Sequence, residues 1–187
     1  MIDTSDIRKN LKLQIDGEPW VVIDFQFVKP GKGQAFTRTK IKNLITGNVI
    51  EKTYRSGEKL EEAYIEEHEM AFLYAQGDVF HFMNNQTYEQ IEMTAEQVGE
   101  ARSYLTGNMI VEVMYFNNKP IGIELPNFVE LQIVHTEPAV KGDTVSGATK
   151  TAEVSTGYKL QVPVFINNGE WIVIDTRTGT YVERVKR

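Results

Sequence analysis

An all-β chain of small barrels or sandwiches is predicted here by three observations. Apolar and polar residues alternate at period 2 in many short runs, turn-forming residues punctuate those runs, and a single stretch carries helical spacing. In Trp20–Val28, Val21, Ile23, Phe25 and Phe27 are apolar while Asp24 and Gln26 fall between them, which predicts a half-buried strand with the odd positions inward. A partner strand follows over Phe36–Leu44. Met109–Phe116, Val129–Val134, Leu160–Ile166 and Trp171–Asp175 alternate in the same way. Turns are expected at Thr46-Gly47-Asn48, Asn84-Asn85, Asn117-Asn118, Asn167-Asn168-Gly169 and Thr178-Gly179. The helical stretch opens on Thr94-Ala95-Glu96-Gln97, the form of a capping box. It continues through Val98 and Ala101 or Arg102 to a glycine stop near Gly107, with Gly99 as an internal weak point. Residues 57–67 read equally as a turn with a strand or as a short helix.

Composition narrows the functional classes. The 187 residues are 41% hydrophobic and 25% charged, the balance of a folded globular chain rather than a disordered one. The absence of cysteine removes disulfides, thiolate catalysis and cysteine metal sites, and points to a cytoplasmic location. No apolar run reaches the roughly 18 residues of a membrane helix, and the polar N-terminus has no signal-peptide core. His68, His81 and His135 are not at metal-ligand spacing, so no metal site is expected. Residues 1–64 hold 11 Lys/Arg and 9 Asp/Glu, residues 65–127 hold 2 and 10, and residues 128–187 hold 7 and 7. The net −6 is therefore concentrated in the middle third. With the strand spacing, this predicts three units, 1–64, 65–127 and 128–187. Each is small enough to be marginal alone and is expected to pack on its neighbour, in an elongated molecule whose ends differ in task.

The segment richest in chemistry is Val28-Lys-Pro-Gly-Lys-Gly-Gln-Ala-Phe36, between two strands. Pro30 restricts its own φ and the residue before it, while Gly31 and Gly33 permit positive φ on both sides of Lys32. A single long cationic side chain is thus expected at a loop tip, flanked by residues without side chains. Arg38, Lys40 and Lys42 recur at period 2 and share a strand face. No Asp or Glu lies between Asp24 and Glu51, a window that also holds Lys29 and Lys32. Five cations without counter-charge make a phosphate-binding stripe. The competing account is a solvated face carrying lysines that guard against edge pairing. The glycine-flanked lysine is not a phosphate loop of the nucleotide-binding kind, because Gln34 follows Gly33 and no helix opens there.

These residues resemble a known family. Phe27-Val-Lys-Pro-Gly-Lys-Gly-Gln-Ala-Phe36 and Asn43-Leu-Ile-Thr-Gly47 are similar to the first domain of bacterial elongation factor P. The resemblance continues through Phe80-His-Phe-Met-Asn-Asn-Gln-Thr-Tyr-Glu-Gln90, Pro126-Asn-Phe-Val-Glu-Leu131 and Gly142-Asp-Thr-Val-Ser-Gly147. It closes with Lys150, Ala152, Gly157, Leu160, Val162-Pro163, Ile166, Gly169, Asp175-Thr-Arg-Thr-Gly179 and Tyr181-Val-Glu-Arg184. It implies a KOW-like, SH3-like barrel followed by two OB-fold barrels, roughly tRNA-shaped and monomeric. Such a protein binds both ribosomal subunits between the peptidyl and exit sites and relieves stalling at consecutive prolines.

The resemblance brings Lys32 to the CCA end of the peptidyl-tRNA and implies its covalent extension by a modifying enzyme, with a β-lysyl-type group as the expected adduct. Lys29, Pro30, Gly31, Gly33 and Gln34 form the tip loop. Gly142, Asp143, Thr144, Gly147 and Lys150 are implied near the small subunit and the exit-site mRNA codon, and Tyr181 and Arg184 in ribosome binding. Lys150-Thr-Ala152 departs from the family's more common Lys-Pro-Ala and removes a fixed φ there.

Two other classes compete. A general OB-type single-stranded RNA binder needs aromatic platforms in a basic groove, whereas the aromatic residues here fall mostly at core-phase positions. An enzyme could use Glu61-Glu62 or Glu66-Glu67, but adjacent side chains diverge. No nucleophile–base set or cofactor loop accompanies them, so no catalytic residue and no cofactor are expected.

Overall fold

The computed structural model describes residues 1–139 and 147–187. The expected loop residues Gly142, Asp143 and Thr144 lie outside them. The chain divides into two compact units, Met1–His68 with Val113–Gly122, and Glu69–Glu112 with Ile123–Arg187.

The first unit begins with β1 (Ile2–Asp3), β2 (Lys12–Ile15), β3 (Glu18–Val28), β4 (Phe36–Asn43), β5 (Val49–Arg55) and β6 (Lys59–Leu60). Strands β2 to β5 form an antiparallel sheet in chain order, and β1 pairs with β6. Asp16 and Gly17, at φ 53° and 78°, make the two-residue turn between β2 and β3, a hairpin signal that the alternation pattern alone does not reveal. Ile7, Leu11, Leu13, Val22, Ile41, Tyr54 and Leu60 fill the interior. A second cluster, Ala63, Met114, Phe116 and Ile121, packs with Leu44 and Ile65 in the same unit.

Strands β7 (Glu66–Gln76), β8 (Val79–Met83) and β9 (Gln90–Thr94), the helix α1 (Ala95–Val98), and strands β10 (Ile110–Phe116) and β11 (Lys119–Glu124) follow. The sheet order is β11-β10-β7-β8-β9. Asn117 and Asn118 both take positive φ between β10 and β11, as an Asn-Asn hairpin turn requires. The last strands are β12 (Phe128–Thr136), β13 (Thr149–Val154), β14 (Lys159–Pro163), β15 (Trp171–Asp175) and β16 (Thr180–Val185), in the order β14-β13-β12-β15-β16. Edge strands β14 and β16 lie side by side, which closes the sheet on itself. Its interior holds Leu131, Ile133, Val154, Val162, Ile166, Ile172 and Ile174, each essentially without exposed surface. The fold is all-β, with barrel-like domains.

Two local expectations are corrected and one open choice is decided. The helix is one turn long. Thr94 Oγ1 accepts from Gln97 N–H and Gln97 Oε1 accepts from Thr94 N–H, as a capping box should. Gly99, at φ 63°, then ends the helix, and only a 3-10 turn, Gly99–Ser103, follows. Of the two readings of residues 57–67, the turn with a strand is the one present, with β6 at Lys59–Leu60 and β7 opening at Glu66. The second correction concerns β3. Ile23, Phe25 and Phe27 are 37%, 40% and 59% exposed, while Val21 and Val22 are both buried. A bulge between Val22 and Asp24 reverses the phase of the alternation. Beyond it β3 has no second neighbouring strand among the described residues, because β2 pairs with it only from Glu18 to Val21.

Candidate nucleic-acid interface

The hairpin of β3 and β4 carries the tip. Lys29, Gly31, Lys32, Gly33 and Gln34 are exposed, and Pro30 is half-buried. Lys32 has no hydrogen bond or ion pair among the described residues. Only Gly33 takes positive φ, at 109°, so the expected pair of left-handed glycines is a single one. A methyl added at Gly31 would meet nothing within 4 Å. What Gly31 contributes is therefore bareness rather than a special conformation. The root of the tip is braced: Gln34 Nε2–H donates to Ser56 O at 3.2 Å and Ser56 N–H donates to Ala35 O at 3.0 Å. Gln34 thus ties the loop to the β5–β6 turn.

On β4, Arg38, Lys40 and Lys42 are exposed and alternate with buried Thr37, Thr39, Ile41 and Asn43, so the shared cationic face is present. It is not free of counter-charge. Lys40 is the cross-strand partner of Asp24 on one side and Glu51 on the other. The two acids that bound the acid-free stretch of sequence are thereby brought to the one lysine midway between them. Arg38 lies between Gln26 and Thr53, with its guanidinium 5.4 Å from the centre of the Phe36 ring. Lys42 lies between Val21 and Val49. Arg55, partner of Phe36, adds an exposed cation to this face. The sequence reading missed it because it lies past Glu51. Lys29, Lys32, Arg38, Lys42 and Arg55 are therefore the cations without a carboxylate opposite.

The remaining expected residues belong to the second unit. Gly147 takes φ 84°. Lys150 Nζ donates to Glu137 O at 2.6 Å, which ties β13 to the end of β12. Tyr181 is half-buried against the interior, and burial pushes its phenol above the usual value, with Arg184 opposing. Arg184 lies 5.2 Å from the centre of the Phe165 ring and pairs with Glu170 at 3.4 Å. Just before β16, Tyr158 Oη donates to Gly179 O at 2.8 Å. The Tyr104 ring lies 5.1 Å from that of Tyr158, and Thr156 Oγ1 donates to Ser103 O. Burial, then the Tyr158 hydrogen bond, pushes the Tyr104 phenol up to about 12.

Among the described residues no group of three His, Cys, Asp or Glu is disposed to hold a metal. No helix among them is long and apolar enough to cross a membrane. Beside the pairs Glu61-Glu62 and Glu66-Glu67, Ala63 N–H donates to Lys12 O and Glu66 pairs with His68 at 3.2 Å.

Three family models match in succession. Residues 3–60 match the elongation factor P KOW-like domain, residues 65–123 its OB domain, and residues 129–184 the elongation factor P C-terminal domain. Elongation factor P of Desulfatibacillum aliphaticivorans is 52% identical over 187 residues, covering all of both chains. Elongation factor P 2 of Geobacter sulfurreducens is 52% identical over 186 residues, and elongation factor P of Moorella thermoacetica is 51% identical over 98% of this chain and all of its own. Among solved structures, eukaryotic translation initiation factor 5A from Methanococcus jannaschii overlays with a TM-score of 0.53 at 24% identity. That overlay covers 66% of this chain and 93% of the other, and it speaks for the fold alone. With three matched domains in order and half-identical relatives along its whole length, the chain belongs to the elongation factor P family of translation elongation factors.

Proposed function

We propose that this elongation factor binds the ribosome between the peptidyl and exit sites and relieves stalling at consecutive prolines by steadying the peptidyl-tRNA. The observation that carries this reading is Lys32 itself. It is an exposed, unpartnered cation at the end of a hairpin whose root is fixed by Gln34 and Ser56. Proline is a constrained nucleophile and donor, so a poorly oriented peptidyl end reacts slowly. Holding that end in a productive geometry is worth several kcal/mol and requires no catalytic group from the protein. Lys29, Arg38, Lys42 and Arg55 supply positive charge toward RNA phosphates behind the tip. Gly147, Lys150, Tyr181 and Arg184, with Gly142, Asp143 and Thr144, are assigned to the small-subunit and exit-codon side.

In the same reading the chain belongs to the lysine-tip subgroup and works in the cytoplasm as a monomer. The Lys32 amine attacks an activated β-lysyl carboxyl delivered by a modifying enzyme, and loses a proton as the activating group departs. Its exposure and bare glycine neighbours favour access by such an enzyme. The division into domains 1–64, 65–127 and 128–187 is supported by the boundaries of the three matched models.

The test is reconstituted translation of one message with three consecutive prolines and one without, using protein purified from its own cells. Wild type should accelerate the proline message alone, and Lys32→Ala should fold normally and lose most of that effect. No effect from wild type would overturn the proposal and favour a general RNA-binding role.

A further inference from the structure

The hairpin has two faces, and most of its cations lie on one of them. Cross-strand partners share a face. Phe25 pairs with Thr39, which pairs with Lys52, and Phe27 pairs with Thr37, which pairs with Tyr54. Arg38, Lys40 and Lys42 alternate with Thr37, Thr39 and Ile41 and so occupy the opposite face. Thr39 and Thr37 are buried, yet the rings opposite them stay 40% and 59% exposed. As residues two apart on one strand, Phe25 and Phe27 stand about 7 Å apart on the same side. Past the bulge β3 pairs with β4 alone among the described strands, and the two rings stay partly exposed. A scattered exposed phenylalanine is ordinary. Two in register beside the cation Lys52, on a stretch without acids from Phe25 to Ile50, form a defined surface.

We infer that the Phe25–Phe27 face is a stacking platform for unpaired nucleotides of the RNA that the hairpin engages. The charge of the hairpin selects the occupant. A basic protein partner would have to meet Lys52 on this face, and Lys29 and Lys32 at the tip, without counter-charge, whereas RNA supplies a phosphate for each nucleotide whose base the rings take. Stacking and phosphate contact then divide between the two faces. Phe25 and Phe27 hold bases or ribose with Lys52 on their own face, and the Arg38–Lys42 face meets the backbone. A ring platform discriminates unpaired from duplexed RNA, which the cationic face alone does not. The inference rests on the ribosomal role proposed above and adds how the RNA is gripped.

The experiment measures binding of the full-length protein to ribosomes carrying peptidyl-tRNA on a proline codon, over a range of salt. Wild type is compared with Phe25→Leu/Phe27→Leu, Phe25→Trp/Phe27→Trp and Arg38→Gln/Lys42→Gln. The leucine pair should weaken binding roughly five- to 150-fold, the span of one stacked base, and leave the salt slope unchanged. The tryptophan pair should bind at least as well as wild type. The Arg38/Lys42 pair should flatten the salt slope. All four proteins should unfold at the same temperature, because the altered side chains are exposed. Wild-type binding by the leucine pair would overturn the inference, as would equal weakening by leucine and tryptophan. Failure of wild type itself to bind would instead overturn the ribosomal role.

Discussion

The β3–β4 hairpin and the β12–β16 barrel both present basic residues, but in opposite physical states. On the hairpin, Lys29 and Lys32 project from a loop and Lys42 faces valines across both neighbouring strands. In the barrel every arginine is already held. Arg177 lies 5.3 Å from the Phe128 ring centre and binds Asp175 at 3.0 Å, keeping that carboxyl below its usual range. Arg184 lies on Phe165 and pairs with Glu170. Arg187 lies 3.9 Å from the Trp171 ring centre and pairs with Glu130 at 2.6 Å. A planar guanidinium keeps free donors after stacking and pairing, so it serves as a pre-set surface element, whereas lysines on bare loops keep their reach. Among the described residues, one region presents unpaired cations on a loop and strand face, the other cations fixed by rings and carboxylates.

The glycines test that contrast most strongly. A Cβ at Gly179 would collide with Tyr158 Oη and lie 3.1 Å from Tyr104 Oη, at a φ of 75°. Overpacking and left-handed strain together predict that Gly179→Ala destabilises the barrel by about 2–5 kcal/mol. Gly33→Ala, with only Pro30 Cγ at 3.8 Å and a loop free to relax, should cost less, about 1–2 kcal/mol. Gly31→Ala should change stability by no more than about 0.5 kcal/mol. Urea unfolding followed by tyrosine and tryptophan fluorescence would rank the three. A Gly33→Ala cost equal to that of Gly179→Ala would mean that the tip is as rigid as the barrel.

Much of this was legible from the sequence, for reasons that also explain the misses. The strand over Trp171–Asp175 and the Asn117-Asn118 turn follow directly from period 2 and turn chemistry. The exposed place of Lys32 at a loop tip follows from its glycine neighbours. The outward turn of Phe25 and Phe27 was hidden because alternation shows which residues share a face, not whether another layer covers it. A one-residue bulge also leaves no mark in composition. The placing of Lys40 opposite both Asp24 and Glu51 depends on register across three strands, which counting charges along the chain does not capture. The clamp of Tyr104, Tyr158 and Gly179 joins residues far apart in sequence, and none of the three is unusual locally.

That clamp also makes a pH prediction. The Tyr104 phenol is held up to about 12 in the folded chain, above the usual value near 10 in the unfolded one. The folded state therefore keeps a proton that the unfolded state gives up. The resulting stability is fully present below pH 10 and is lost as pH rises through about 12. Denaturant midpoints measured between pH 9 and 12 should fall for wild type and fall less for Tyr104→Phe, with both proteins parallel below pH 9. Identical pH profiles would show that Tyr104 ionises as freely in the fold as in the unfolded chain.

The smallest expected effect separates held cations from free ones. Arg184→Lys keeps the charge but loses the planar contact with Phe165 and shortens the reach to Glu170, at a cost of about 0.5–1 kcal/mol. Lys42→Arg, facing Val21 and Val49 with no ring or carboxylate to engage, should lie within about 0.5 kcal/mol of wild type. The two exchanges run in opposite chemical directions, so a general preference of the surface for either residue type would stabilise one and destabilise the other equally. A loss confined to Arg184→Lys, and reproduced by Phe165→Leu without further loss in the double variant, would locate the effect in the stacked pair. Additive losses from Arg184→Lys and Phe165→Leu would mean the ring and the guanidinium act independently. The barrel's arginines would then be as loosely held as the hairpin's lysines.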